Sequence, residues 1–186
     1  MDLTDHFLIS MPAMADPNFA GTVVYLCEHT SQGALGLVIN RPTELTVADL
    51  LERVELSLET DDPRRFAHTN VYLGGPVHPD HGFVLHEPQI KFNSSLQIGP
   101  RRTLTTSRDV LESMARGEGP QRSLVALGYA GWDAGQLEQE VAHNAWLTVA
   151  ADARILFDTA PHERFGEAVQ LLGIDLSRLA ATAGHA

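Results

Sequence analysis

The chain has 186 residues, 44% apolar and 20% charged, a composition that can bury one core and is too apolar for a disordered polymer. Thirteen Lys and Arg against 24 Asp and Glu leave a formal net charge of −11, which repels phosphate backbones and disfavours direct DNA binding. A lone Cys27 rules out an internal disulfide, and neither a secretory leader nor a run near the ~20 apolar residues of a membrane span occurs, so a cytoplasmic protein without membrane contact is expected.

"FLIS" (7–10) reads as a first short strand. "GTVVYLCEH" (21–29) is apolar on both faces until Glu28, the pattern of a buried central strand. The turn "TSQG" then leads into "GALGLVIN" (33–40), which predicts an antiparallel hairpin. "TVADLLERV" predicts a helix with Thr46 as N-cap, Asp49 at N3 and an apolar stripe at Val47, Leu50, Leu51 and Val54. "ETDDPRR" (59–65) reads as an exposed loop.

"NVYL" is a strand running into the tight turn "LGGPV", and "GFVLH", "SLQI" and "RTLTT" are further short strands. "TSRDVLESMARG" predicts a helix capped by Thr106, with Asp109 at N3 and Gly117 at its end. After the strand "SLVALGY", the stretch Gly128 to Gly135 reads as a glycine-rich turn shaping a pocket rim. A third helix spans "DAGQLEQEVAHN", "WLTVA" and "RILF" read as strands, and Pro161 opens a fourth helix, "PHERFGEAVQLLG". Strand hairpins interspersed with about four helices indicate an α+β fold, a single compact domain over residues 1–186.

The chemistry-bearing residues concentrate in a few stretches. In "CEH", Cys27 and His29 would share one strand face roughly 7 Å apart, too far for direct thiol activation, so Cys27 reads as core. Glu28 and His29 stand as candidate site residues. In the third helix Leu137 and Val141 define the buried stripe, Asn144 falls on it as a buried tie, and Glu138 and Glu140 flank it on opposite sides. At most one of these carboxylates would face a pocket; the other would pair with Arg41. Both tryptophans lie here, and Trp146 is expected in the core. His78, His81 and His86 match no zinc spacing, and no phosphate-binding loop, dinucleotide fingerprint or nucleophile elbow is present, so no metal or cofactor is expected.

Taken together, "HFLISMPAMADPNF", "TVVYLCEHTSQGALGLVINRP", "YLGGPVHPDHGFVLH", "LTTSRDVLESMARGEGP", "LGYAGWDAGQLEQEVAHNAWL" and the terminal "AGHA" resemble the YqgE/AlgH family of bacterial proteins over essentially the whole chain. The resemblance implies a bifurcated, partly barrel-like, mostly antiparallel β-sheet surrounded by helices. It carries no established reaction, and one family name derives from regulation of alginate synthesis. The candidate binding surface it shares comprises Glu28, His29, Asn40, Arg41, Thr106, Ser107, Gly131, Trp132, Gln136, Glu138 and Glu140. A module that binds a small molecule or a protein is the expected function. The alternatives are a transcriptional regulator, or an enzyme using Glu28, His29, Glu138 or Glu140 as acid and base.

Overall fold

The computed structural model describes residues 1–175, 177 and 178, so the terminal "AGHA" lies outside the described residues. In chain order they form β1 (His6–Ser10), β2 (Val23–Thr30), β3 (Gly33–Val38), β4 (Pro42–Thr46), α1 (Val47–Arg53), α2 (Arg64–Ala67), β5 (Asn70–Leu73), β6 (Val77–Glu87), β7 (Ser95–Ile98) and β8 (Arg102–Thr105). There follow α3 (Arg108–Ala115), β9 (Arg122–Asp133), α4 (Gln136–Ala142), β10 (Trp146–Ala150), α5 (Ala153–Phe157) and α6 (Pro161–Leu171). Among the described residues no helix is long and apolar enough to cross a membrane.

The strands make one curled half-barrel sheet in the order β10-β1-β2-β3-β9-β6-β8-β7, with β4 and β5 branching off. The fork is at β9. Its first half, Arg122 to Leu127, pairs antiparallel with β6, and its last four residues, Ala130 to Asp133, pair antiparallel with β3. On the other edge of the first half, Ala126 and Leu127 take β5 as a parallel neighbour. The stretch expected as a turn from Gly128 is therefore mostly strand. Ala130 and Trp132 alternate inward and carry β9 on to Asp133, where the turn proper begins.

Three apolar clusters explain why the strands read as they do. Tyr25 and Cys27 point into the half-barrel, which α5 and α6 close with Ile155, Leu156 and Ala168. Val24 and Leu26 point to the opposite face, where Leu137 of α4, Trp132 and Trp146 cover them. Strand β2 is apolar on both faces because both faces are covered. A third cluster packs α1, α2 and α3 on the other branch of the sheet, around Leu51, Phe66 and Val84.

Helix α1 carries the expected capping box: Asp49 N–H donates to Thr46 Oγ1 at 3.1 Å, and Thr46 N–H donates to Asp49 Oδ2 at 3.0 Å. Two expectations are corrected. "RILF" is not a strand but lies in α5, where Asp152 caps the first turn by accepting from Arg154 N–H and buries Ile155 and Leu156. Two helices, α2 within the charged loop region and α5, join the four expected among the described residues. The N-cap of α3 is Ser107 rather than Thr106.

Candidate functional site

A one-residue bulge decides where "CEH" points. Leu26 pairs with Gly36, but Glu28 pairs with Leu35, so Cys27 is the extra residue in β2. Cys27 stays in the half-barrel core, while Glu28 turns to the same face one position early and His29 turns to the α4 side. The expectation that Cys27 and His29 share a face is thus overturned. Burial pushes the Cys27 thiol well above its ordinary value, with the Glu28 and Asp5 carboxylates adding to it, so this sulfur is an inert core group.

His29 is 5% exposed and fully committed. Its Nδ1 accepts from Leu3 N–H at 3.0 Å, which leaves Nε2 to donate to the Glu138 carboxylate. With both ring nitrogens occupied, the imidazole has no face from which to take a proton. Glu138 in turn is held below the ordinary carboxylate range by its own backbone N–H and by the His29 imidazole.

Glu140 answers why both tryptophans sit where they do. Its Oε1 accepts from Trp146 Nε1 at 3.0 Å and Trp132 Nε1 at 3.3 Å, and its Oε2 accepts from Gln136 Nε2 at 3.0 Å. Gln136 Oε1 closes the loop by accepting from Asp133 N–H at 2.9 Å. Two large indoles are thereby buried beside Phe19 with their polar edges satisfied. Neither Glu138 nor Glu140 lines the groove described below.

Arg41 pairs with neither carboxylate. Its guanidinium donates to the carbonyls of Pro17, Asn18 and Ala20, at 3.0, 2.6 and 2.9 Å, while Asn40 takes Val23 N–H and donates to Gly21 O. Both residues fix the 17–22 loop. Asn144 is exposed, not a buried tie. Helix α4 stops at Ala142, and Asn144 adopts φ 60° just past it. Asn144 N–H then donates to Val141 O and Ala145 N–H to Glu140 O, the paired bonds of a left-handed helix stop. Thr106 and Ser107 hold the 93–95 loop: Ser94 Oγ lies 2.8 Å from Thr106 Oγ1, and Ser94 N–H donates to Ser107 Oγ at 2.9 Å.

What the curled sheet leaves open is its mouth. Glu28, Leu35 and Gly131 form one cross-strand row of β2, β3 and β9, and Thr30, Gly33 and Asp133 form the next. Together with Val77, Tyr129 and Gln32 they line a groove of about 480 Å³. Leu35 and Tyr129 belong both to the groove and to the edge of the interior cluster, so the groove is where the half-barrel core ends. Glu28 and Asp133 are exposed, and their carboxylates have no hydrogen-bond or ion-pair partner among the described residues. Of the sequence candidates, Glu28, Gly131 and Trp132 meet at this groove. Tyr129 and Asp133 lie in the stretch expected to shape a rim, whereas Thr30 and Leu35 were missed, because only strand register brings them there.

A family model described as AlgH-like matches residues 7–177. The chain belongs to the AlgH-like family. A UPF0301 protein of Cupriavidus metallidurans is 55% identical over 186 residues, covering 100% of this chain and 96% of that relative. One from Thiobacillus denitrificans is 53% identical over 186 residues, with 100% and 98% covered. Among solved structures, the AlgH protein from Pseudomonas aeruginosa superposes with a TM-score of 0.80 at 53% identity, covering 100% of this chain and 97% of that one. A protein from Corynebacterium diphtheriae shares the fold at a TM-score of 0.71 and 16% identity, over 90% of this chain and 86% of that one. The α+β half-barrel with a forked sheet is the AlgH-like fold.

In this AlgH-like chain the two helix carboxylates are separable by experiment. Glu140→Ala strands two indole N–H groups in a mostly buried cluster and should cost about 2–4 kcal/mol, with the tryptophan emission shifted to the red. Glu140→Gln keeps one oxygen acceptor and should cost less. Glu138→Gln acts through pH instead. A carboxyl held below its ordinary 4.5 contributes stability that is complete above that value and is lost as pH falls through the lowered folded value. The melting difference between wild type and Glu138→Gln should therefore be largest near neutrality and close on acidification. Melting curves run from pH 7 to pH 3 check both, and a constant gap for Glu138→Gln would contradict the assignment.

Proposed function

We propose that this chain is a binding module that holds a small amine-bearing cation in the mouth of its half-barrel. The observation that carries the reading is the contrast among its carboxylates. Glu138 and Glu140 are spent on His29 and on the indoles, whereas Glu28 and Asp133 border a concave groove without partners. No Lys or Arg lines that groove, so a bound cation would meet two unpaired acceptors and no competing charge. Barrel mouths are common ligand sites, and Gly33 and Gly131 keep this one open over the sheet.

The enzyme alternative loses three of its four acid–base candidates, since His29 has both nitrogens engaged and Glu138 and Glu140 are paired, and Glu28 stands in the groove without any of the other three. The regulator alternative rests on a family name, and a formal charge of −11 works against a direct contact with DNA.

The test is a titration of the 15N-labelled chain with putrescine and, as a control, with the dicarboxylate succinate. Putrescine should move the amide signals of Gly33, Gly131 and Asp133, and succinate should not. Glu28→Gln and Asp133→Asn should each weaken the effect about tenfold, the worth of one hydrogen bond to a charged group. Shifts that are absent, or that persist in the double variant, would sink the reading.

A further inference from the structure

Next to the groove, on the other side of Tyr129, strand β6 leaves its ladder. Val77 pairs with Tyr129 and Gly82 pairs with Leu127, so four residues of β6 oppose the single Gly128 of β9. The excursion is His78-Pro79-Asp80-His81. It projects three side chains whose donor atoms all lie within 4.8 Å of one another, two imidazoles and one carboxylate. All three are exposed, and none makes a hydrogen bond or ion pair among the described residues. The two imidazole rings stack at 5.0 Å with 13° between their planes.

The excursion is also held in shape. Pro79 fixes its own φ. Gly128, at φ 76°, approaches so closely that a Cβ there would stand 2.4 Å from Gly75 O, 3.1 Å from Pro79 Cα and 3.2 Å from Val77 O. His78 takes φ 44°, the left-handed conformation that turns its ring back over the loop toward His81. The spacing of the histidines matches no zinc signature and no cysteine is near; Asp80, which the excursion brings within reach of both rings, is the ligand that spacing does not count.

The geometry points to a surface site for one divalent transition cation of the zinc type, ligated by His78, Asp80 and His81. Two neutral imidazoles and a carboxylate suit Zn²⁺, Cu²⁺ or Ni²⁺ rather than Mg²⁺ or Ca²⁺, which prefer all-oxygen shells. Bonds of about 2.0–2.2 Å in a tetrahedron place donors roughly 3.4 Å apart, so the three exposed side chains need to close by roughly 1.5 Å or less. Water would fill the remaining coordination positions. The ring of His78 lies 6.1 Å from that of Tyr129, which lines the groove, so the cation would sit beside the groove rather than in it. This inference stands apart from the proposed amine site, since it shares none of its carboxylates.

Isothermal titration of the untagged chain with Zn²⁺, and separately with Mg²⁺, tests the stoichiometry. One Zn²⁺ per chain is expected and no Mg²⁺ heat. His81→Ala and Asp80→Asn should each weaken Zn²⁺ binding at least about tenfold, and His78→Ala with His81→Ala should abolish it. Because variants can misfold, wild type alone carries a second measurement: Ni²⁺ should broaden amide signals of residues 77, 78, 80–82 and 128–130 first. Unchanged zinc affinity in the folded double variant, or broadening centred elsewhere, would overturn the site.

Discussion

Gly75→Ala is expected to lose about 4 kcal/mol or more, and in a marginally stable domain to leave little folded protein at 37 °C. A Cβ at Gly75 would stand 2.1 Å from Tyr129 C, 2.2 Å from Tyr129 O and 2.4 Å from Ala130 N. All three are backbone atoms of β9, the strand at which the sheet forks, so no flexible side chain can move aside. Gly75 also has φ 156°, a conformation L residues rarely adopt. Gly82→Ala is the matched control, because nothing lies within 4 Å of the Cβ it would add. Urea denaturation of the two variants side by side reads the result. A Gly75→Ala midpoint equal to that of Gly82→Ala would mean that the strand crossing is looser than its geometry indicates.

That crossing links fold to site. Gly74 and Gly75 carry the chain from β5 across β9 into β6, and Tyr129, which Gly75 touches, is a wall of the groove and a neighbour of the His78 ring. Loosening the crossing should therefore disturb amine and metal binding together, whereas Glu28→Gln and His81→Ala should each disturb one.

The parts of this fold legible in sequence are those whose cause is local. The box of Thr46 and Asp49 specifies the start of α1 within four residues, and both faces of β2 are apolar because both are covered. Pro161 and the stripe through Phe165, Ala168 and Val169 likewise specify α6. The failures come from single-residue events and from long-range pairing. The bulge at Cys27 reverses the faces of Glu28 and His29, and no period in the sequence announces it. Asn144 was placed by extending 100° steps beyond Ala142, where the helix has already ended. "RILF" is too short for a period of 3.6 to separate from a buried strand, and the cap at Asp152 decided it. The glycines of "GYAGW" look like turn residues. Gly128 serves instead to let Gly75 and the start of β6 approach β9, and the partners that complete the groove around Gly131 are written in the register of three strands.

Arg102 is the second residue whose loss should be severe. It is 6% exposed on β8, and its Nη1 lies 2.5 Å from Asp5 Oδ1 while its Nε lies 2.8 Å from Glu87 Oε1. The Nε contact is an ion pair rather than an aligned hydrogen bond, since neither atom finds a properly directed partner. Tyr25 Oη donates to the same Asp5 oxygen at 2.7 Å, and the guanidinium lies 5.8 Å from the centre of the Tyr25 ring. Burial alone opposes the charge on Arg102, yet Tyr25, Asp5 and Glu87 together hold its pKa above the ordinary value. One side chain thus ties the segment before β1 to the end of β6. Removing it leaves Asp5 without its counter-charge and the mostly buried Glu87 with Arg122 alone, at 3.7 Å from Oε2, so Arg102→Ala should cost about 3 kcal/mol or more. Arg102→Lys keeps the charge but not the fork of donors, and should recover only part of that. A double-mutant cycle with Asp5→Asn, which tolerates the left-handed φ of 62° at that position, isolates the pair. Coupling of at least about 1.5 kcal/mol is expected from urea midpoints. Strict additivity would show that Asp5 is merely adjacent, and would transfer the burden of holding the charge on Arg102 to Glu87 alone.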